Sequence, residues 1–398
     1  MIRTLQFSNF YSFRDDAEVS FEVGRQPAAS QYDLAYADGA RGNKVLAVVG
    51  ANGSGKTQLL KPLAFLSWFV ADSFLSSEPK ARIPFRPHAL SPEVPTCFEL
   101  TFDLDGEQYR YRLELDQQQV LHESLHLKTS RLFSYLFVRE READGYRVKQ
   151  KGFGFRNSQA RQVRGNVSLL AAAHMHDVPL ASAMVEYFRG FSYNLQVTGR
   201  AHYDHMRLLN SALFFQDNPA LHRRASELLC RLDLGLEDVE LEEVEISGSG
   251  ELDIKEPLYM PMGVHRSADD TFRLPFLDES SGTQSAYVLL HRILPVLEQG
   301  GIAVIDELDN DLHPHMLEAF LDLFRFEHSN PHQAQLIFSC HTAEVFNLLA
   351  KHQVYLVEKR DLESEAWRLD DMVGLRADDN LYAKYQSGAL GAVPEIRA

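Results

Sequence analysis

Val45-Leu46-Ala47-Val48-Val49, running into Gly50-Ala51-Asn52-Gly53-Ser54-Gly55-Lys56-Thr57-Gln58, decides how this chain folds. The apolar run reads as a strand buried on both faces, and residues 50–57 fit the Walker A pattern GxxxxGK[ST]. A helix is expected from about residue 56 to 74. Strand, glycine loop and helix in that order make a phosphate cradle. Loop N–H groups and the helix N-terminus surround phosphate oxygens, Lys56 reaches the β and γ phosphates, and Thr57 ligates Mg2+. Gly53 and Gly55 let the backbone approach closely. Taken alone, the octet also fits a plain glycine turn.

The second half of the chain supplies what such a cradle needs. Ile302-Ala303-Val304-Ile305-Asp306-Glu307 is an apolar strand that delivers two carboxylates to the C-terminal edge of a sheet, where ligands of open α/β sheets gather. Asp306 is placed to hold Mg2+, and Glu307 to orient or deprotonate an attacking water. A Glu directly after this Asp favours ATP hydrolases over Ras-like switches, where a Gln places the water. The structural alternative is two carboxylates near the start of a helix. Around this segment, helices at 283–298, 315–326 and 342–350 alternate with strands at 302–305, 335–338 and 354–357. That alternation predicts a mainly parallel sheet.

Between the halves the pattern changes. Two alternating runs, 98–104 and 109–115, are joined around Asp105-Gly106 as a hairpin, and β signal continues to about residue 148. Residues 167–233 turn helical in period without sustained heptads, which argues against a long coiled-coil arm. An acidic stretch at 234–245 leads to strands near 251–254 and 258–264. The expected organisation is an N-terminal lobe over 1–150, a mainly helical insertion over 151–250 and a C-terminal lobe over 251–398.

Glu279-Ser280-Ser281-Gly282-Thr283-Gln284-Ser285, just before a predicted helix, resembles the signature motif of ABC-type ATPases, in particular the LSGGEKS form of the SMC and RecF branch. Ser280 matches the signature Ser and Gly282 its second Gly, whereas Glu279 replaces Leu and Ser281 replaces the first Gly. The resemblance implies that Ser280 and Gly282 contact the γ-phosphate of ATP held by another subunit. Without the family, a Ser-Gly turn at a helix start is an anion site or a plain N-cap. Leu308-Asp309-Asn310-Asp311-Leu312-His313-Pro314 is similar to the D-loop, although Pro314 equally suits a simple helix start. Ser339-Cys340-His341-Thr342 resembles the switch-histidine motif, in which His341 senses the γ-phosphate; a buried structural His is the alternative. The glutamine loop of the family is not assignable from the sequence.

The opening residues 5–13 and the terminal strand 354–357 with Glu358-Lys359 resemble the OLD-like, abortive-infection subset of this branch. The resemblance as a whole implies an ABC-type P-loop head of α/β class, with a mixed sheet, an antiparallel β subdomain and a helical insertion. It implies ATP and Mg2+ as cofactors and a homo-oligomer, at least a dimer, closing around ATP. Many OLD-type relatives carry a Toprim nuclease after the head. As 40 residues follow Glu358, any effector, a nuclease or toxin, is expected on another chain.

A net charge of -16 over 398 residues argues against a surface that grips nucleic acid throughout. One segment departs from it: residues 128–164 hold ten basic residues against three acidic ones, a local +7. This run is either a solvated hairpin or a patch for nucleic acid or an acidic partner. Cys97, Cys230 and Cys340 form no CxxC pair, and the histidine pairs His122/His126, His174/His176 and His202/His205 lack a completing ligand set. The start lacks a secretory pattern and no apolar run spans a bilayer, so the expected location is cytoplasmic. Three readings stay open: a defence sensor and scaffold controlling a separate effector, a RecF-like DNA repair ATPase using the basic run, and an ATP-binding scaffold with negligible turnover.

Overall fold

The computed structural model describes residues 1–196, 199–200, 204–232, 235–244, 258–267, 270–310, 312–376 and 378–393. The strand expected at 251–254, His202 and Asp311 lie outside these residues.

Strand Val45–Val49 is buried at every position because it has a neighbour on each edge and a packed layer on each face. The six-stranded sheet runs in the order Ser192–Tyr193, Ile302–Ile305, Gln335–Cys340, Val45–Val49, Val354–Arg360 and Glu363–Arg368. All neighbours are parallel except the last pair. Register aligns Val304 with Ile337 and Ile337 with Leu46, so the loops after these strands emerge side by side. Leu46 and Val48 face one core, and Val45, Ala47 and Val49 face the other. This alternation between two apolar layers is why the strand reads as an unbroken apolar run.

One layer is a seven-stranded antiparallel sheet, ordered Gly145–Gln150, Phe133–Glu142, Val120–Lys128, Glu107–Leu115, Thr96–Leu104, Ile2–Ser8 and Ala17–Ser20. Its central hairpin turns at Asp105 (φ 51°) and Gly106 (φ 81°), left-handed at both positions as a two-residue hairpin loop requires. Helix Lys56–Ala71 fills the space between the two sheets, and its Leu59, Leu63, Leu66 and Phe69 are fully buried. The other face of the parallel sheet is covered by helices His205–Asp217, Pro219–Arg231, Ser281–Gln299 and Pro314–Arg325. The antiparallel sheet on one side and the helices on the other, with the parallel sheet in the middle, give the mixed α/β class expected from the sequence.

The antiparallel sheet is fastened to the helices after it by a buried ion pair. Glu123 and Arg139 are both fully buried, 3.4 Å apart. Glu123 also accepts from the Tyr111 and Ser168 hydroxyls and the Leu169 N–H, while Arg139 donates to the carbonyls of Val163, Arg164 and Val167. Arg139 belonged to the basic run read as either a solvated hairpin or a patch for a partner; the structure commits it to the interior instead. In the same run, Arg147 pairs with Glu140 and Glu142, and Arg141, Lys149, Lys151, Arg156 and Arg161 are exposed. Cys97 and Cys230 are half-buried, Cys340 is buried, and all three are free thiols. Among the described residues, no helix is long and apolar enough to cross a membrane.

Candidate functional site

The loop between strand Val45–Val49 and helix Lys56–Ala71 is shaped by its glycines. A Cβ on Gly50 would stand 2.2 Å from the Val357 carbonyl of the neighbouring strand. Gly55 caps the helix at φ 113°, and a Cβ there would lie 2.5 Å from Ser364 Oγ. Neither position tolerates another residue without displacing backbone or its clasp. Asn52 and Gly53 are exposed at the crest, and Ser54 is buried beneath it with no hydrogen-bond partner for its Oγ. Lys56 folds back, its Nζ donating to the carbonyls of Gly50 at 2.8 Å and Ala51 at 3.1 Å. Burial pushes its ammonium below the usual lysine value, opposed first by the Asp306 carboxylate.

Strand Ile302–Ile305, two places away in the sheet, delivers Asp306 to the same point. Thr57 Oγ1 donates to Asp306 Oδ2 at 2.8 Å, and Ser339 Oγ donates to Asp306 Oδ1 at 2.5 Å. Glu307 follows with φ 51°, a left-handed conformation that costs a non-glycine residue on the order of 1 kcal/mol. Its N–H donates to Ser339 Oγ at 2.8 Å, and its Oε1 lies 3.3 Å from His341 Nε2. His341 Nδ1 stands 3.5 Å from Lys56 Nζ, at the outer limit of hydrogen bonding. An ammonium can only donate, so a Lys56 bond to Nδ1 requires the tautomer with its proton on Nε2, facing Glu307. The structure thus brings Lys56, Thr57, Asp306, Glu307 and His341 into one chain of contacts at the ends of three adjacent strands. Asp309 holds the histidine loop, its Oδ2 accepting from the N–H groups of His341 at 2.9 Å and Thr342 at 2.8 Å.

Several residues of this site were not singled out from the sequence. Ser12 Oγ bonds Gln58 Oε1 and lies 2.6 Å from Ser364 Oγ, which in turn donates to the Ser54 carbonyl at 2.6 Å. The N-terminal turn and the last hairpin therefore clasp the phosphate loop from outside, with Gln58 as the hinge of contact. Asn194, after the edge strand Ser192–Tyr193, brackets Asp306: its side-chain oxygen accepts from the Asp306 N–H at 2.8 Å and its amide donates to the Asp306 carbonyl at 2.9 Å. These partners lie 46 to 352 positions apart, and no local pattern marks them.

The signature-like turn stands apart from the cradle. Ser280 is the N-cap of helix Ser281–Gln299, accepting from Thr283 N–H at 3.1 Å, and Gly282 lies in its first turn. Ser280 bonds only within its own turn among the described residues, so it is not joined to Lys56, Thr57 or Asp306 within this chain. Glu279, which replaces the family's Leu, has a structural reason. Its Oε1 is 2.6 Å from His265 Nε2, and its side chain is only 8% exposed. His265 Nδ1 meets the Gly235 carbonyl at 2.8 Å, and its ring stacks on Phe272. The carboxylate thus ties the turn to the strand Leu258–Arg266.

In two of the histidine pairs the rings bond hydroxyls: His122 Nε2 bonds Ser124, and His174 Nδ1 bonds Ser182. Among the described residues, no group of three or more His, Cys, Asp or Glu is placed to hold a metal ion.

Sheet order and loop placement together define an ABC-type P-loop ATPase head. Residues 45–347 match the family described as "AAA domain, putative AbiEii toxin, Type IV TA system", and the chain belongs to that family. No curated protein matches it. Among solved structures, an SMC head bound to the C-winged helix domain of ScpA superposes with TM-score 0.50 at 15% identity, covering 93% of this chain and 98% of that one. The SMC head domain from Thermotoga maritima gives 0.42 at 14%, covering 92% and 98%. An SMC head with an extended coiled coil, bound to the C-terminal domain of ScpA and derived from Pyrococcus furiosus, gives 0.47 at 13%, covering 93% and 97%. At such identities the first likeness speaks to the fold alone.

Proposed function

We propose that this chain is an ATP hydrolase that binds ATP with Mg2+ in its Walker A loop and closes on a second copy of itself. The observation that carries the reading is the hydrogen-bonded pair Thr57 Oγ1 and Asp306 Oδ2, set 2.8 Å apart beneath the loop. Two hard oxygens from the two nucleotide motifs suit Mg2+ rather than a softer ion. The partnerless Ser54 hydroxyl and the close approach at Gly50 and Gly55 suit a phosphate held by the loop. Bound Mg2+ would neutralise charge on the β and γ phosphates.

The chain's own groups divide the remaining work. Lys56 leaves the Gly50 and Ala51 carbonyls for phosphate oxygens, exchanging neutral acceptors for charged ones. Glu307 is the group that orients the attacking water and takes its proton, with the His341 ring holding its carboxylate in place. Ser280 and the helix N-terminus behind it, engaged only locally in one chain, are the surface offered to a neighbour's γ-phosphate. Each charged hydrogen bond to phosphate contributes on the order of 1.5 to 3 kcal/mol, so a few contacts across the dimer suffice to drive assembly.

We infer the biological setting from the family's description. That description names a putative toxin of a toxin–antitoxin system, which supports a role in antiphage defence, in the cytoplasm, as an OLD-like sensor or scaffold acting through a separate effector. Nucleotide binding and turnover of the wild type, Lys56→Ala and Glu307→Gln test the reading: loss of turnover and of the ATP bound at the Walker A loop in the first variant, and retained Walker A binding without turnover in the second, are expected. Equal turnover in wild type and Glu307→Gln would overturn the assignment of Glu307.

A further inference from the structure

Behind the Walker B turn lies a second cavity, of about 520 Å3, between helix Ser281–Gln299, helix His205–Asp217 and the edge strand Ser192–Tyr193. Its lining includes Arg189, Tyr193, Asn194, Arg207, His291 and Arg292. In a chain of net charge -16, this cavity gathers three arginines against one carboxylate, Asp72. A smaller recess shares Asn194, Arg207 and Arg292 with it and reaches Glu307 and Asn310. The two arginines therefore stand where the cavity meets the back of the proposed hydrolytic site.

Their charges are poorly answered among the described residues. Arg189 pairs with Glu186 at 2.9 Å and Asp72 at 3.4 Å and is accounted for. Arg207 has only the largely exposed Asp204 at 3.6 Å, and its Nε is buried without a hydrogen bond. Arg292 has no carboxylate at ion-pair distance among the described residues. Burial, and then Arg207, push its guanidinium below the usual arginine value. His291 adds no charge at neutral pH: burial, then Arg292, bring it down to about 4, and its Nδ1 bonds Ser211 while its ring stacks on Phe214. A half-buried guanidinium beside another costs folding energy unless an anion answers both.

We propose that this cavity is a second anion site, distinct from the Walker A loop, which takes a phosphate-bearing small molecule of nucleotide size on Arg207 and Arg292. Guanidinium forks match phosphate oxygens, and a phosphate can accept from two forks at once where a lone carboxylate matches one. The volume is that of a small-molecule pocket. Its occupant would be felt at the hydrolytic site, because Asn194 lines the cavity and makes both hydrogen bonds to the Asp306 backbone.

The test uses the full chain carrying Lys56→Ala, which removes the Walker A lysine, titrated calorimetrically with pyrophosphate, ATP, a short oligonucleotide and poly-glutamate. The expected result is that pyrophosphate and ATP still bind Lys56→Ala, and that adding Arg207→Met and Arg292→Met weakens both at least roughly tenfold, the loss of one charge-assisted contact. Arg207→Lys with Arg292→Lys keeps the charge and should retain part of the affinity, which separates anion binding from a folding defect. Absence of binding to Lys56→Ala at millimolar anion, or equal affinity in the methionine variant, would overturn the site. Preference for poly-glutamate or for the oligonucleotide over ATP would overturn the small-molecule ligand in favour of a macromolecular partner.

Discussion

Lys56 and Glu307 carry the sharpest single-residue expectations. Lys56→Ala removes two charged contacts to phosphate and is expected to weaken ATP binding at the Walker A loop by about 3 kcal/mol or more, roughly 100-fold, measured by calorimetry as loss of the tighter of two binding events. Glu307→Gln keeps the shape of the turn and removes the base, so turnover should fall on the order of 10² to 10⁴-fold with ATP affinity retained, measured by phosphate release at saturating ATP. Glu279 makes a different kind of claim. Its bond to His265 explains the departure from the signature pattern, and Glu279→Leu should leave that ring facing an apolar group at a cost of about 1 to 3 kcal/mol in denaturant unfolding. A Glu279→Leu chain as stable as wild type would show that the pairing contributes nothing.

At the scale of elements, the legible parts were those whose signal is local. The Walker A octet, the Asp105-Gly106 hairpin and the apolar strand before Asp306 each carry their geometry in neighbouring residues. The helix expected over 342–350 shrinks to Val345–Leu348, because Asp309 takes the N–H groups of His341 and Thr342 and holds them out of a helical turn. The helix expected to residue 74 ends at Ala71, and Ser73–Ser76 forms a separate turn of helix. Within the helical stretch 167–233, the short strand Ser192–Tyr193 joins the parallel sheet and brings Asn194 to Asp306. A two-residue strand has no periodicity to read. The basic run was legible as composition only, since burial decides that Arg139 is structural while Lys149 and Lys151 face solvent. Arg139→Met leaves the Glu123 charge buried and is expected to cost about 3 to 5 kcal/mol, checked by the urea midpoint. Neutralising Arg141, Lys149 and Lys151 together is expected to leave ATP turnover unchanged with and without DNA. A DNA-stimulated rate lost in that variant would favour the repair reading.

For the whole molecule, the proposed mechanism is a division of labour between two copies. One chain brings the cradle, the proposed Mg2+ ligands, the proposed base and the histidine into contact, while Ser280 bonds only within its own turn among the described residues. The sequence indicated that separation only through resemblance, because a contact made by another copy leaves no trace in local pattern or in one chain's packing. In that mechanism ATP joins these halves across a dimer. Light scattering of Glu307→Gln, with and without ATP and Mg2+, measures this most directly. The predicted result is a shift from the 45.2 kDa chain to twice that mass only when ATP is bound, abolished by Ser280→Arg; a mass that stays unchanged with ATP demonstrably bound would contradict it.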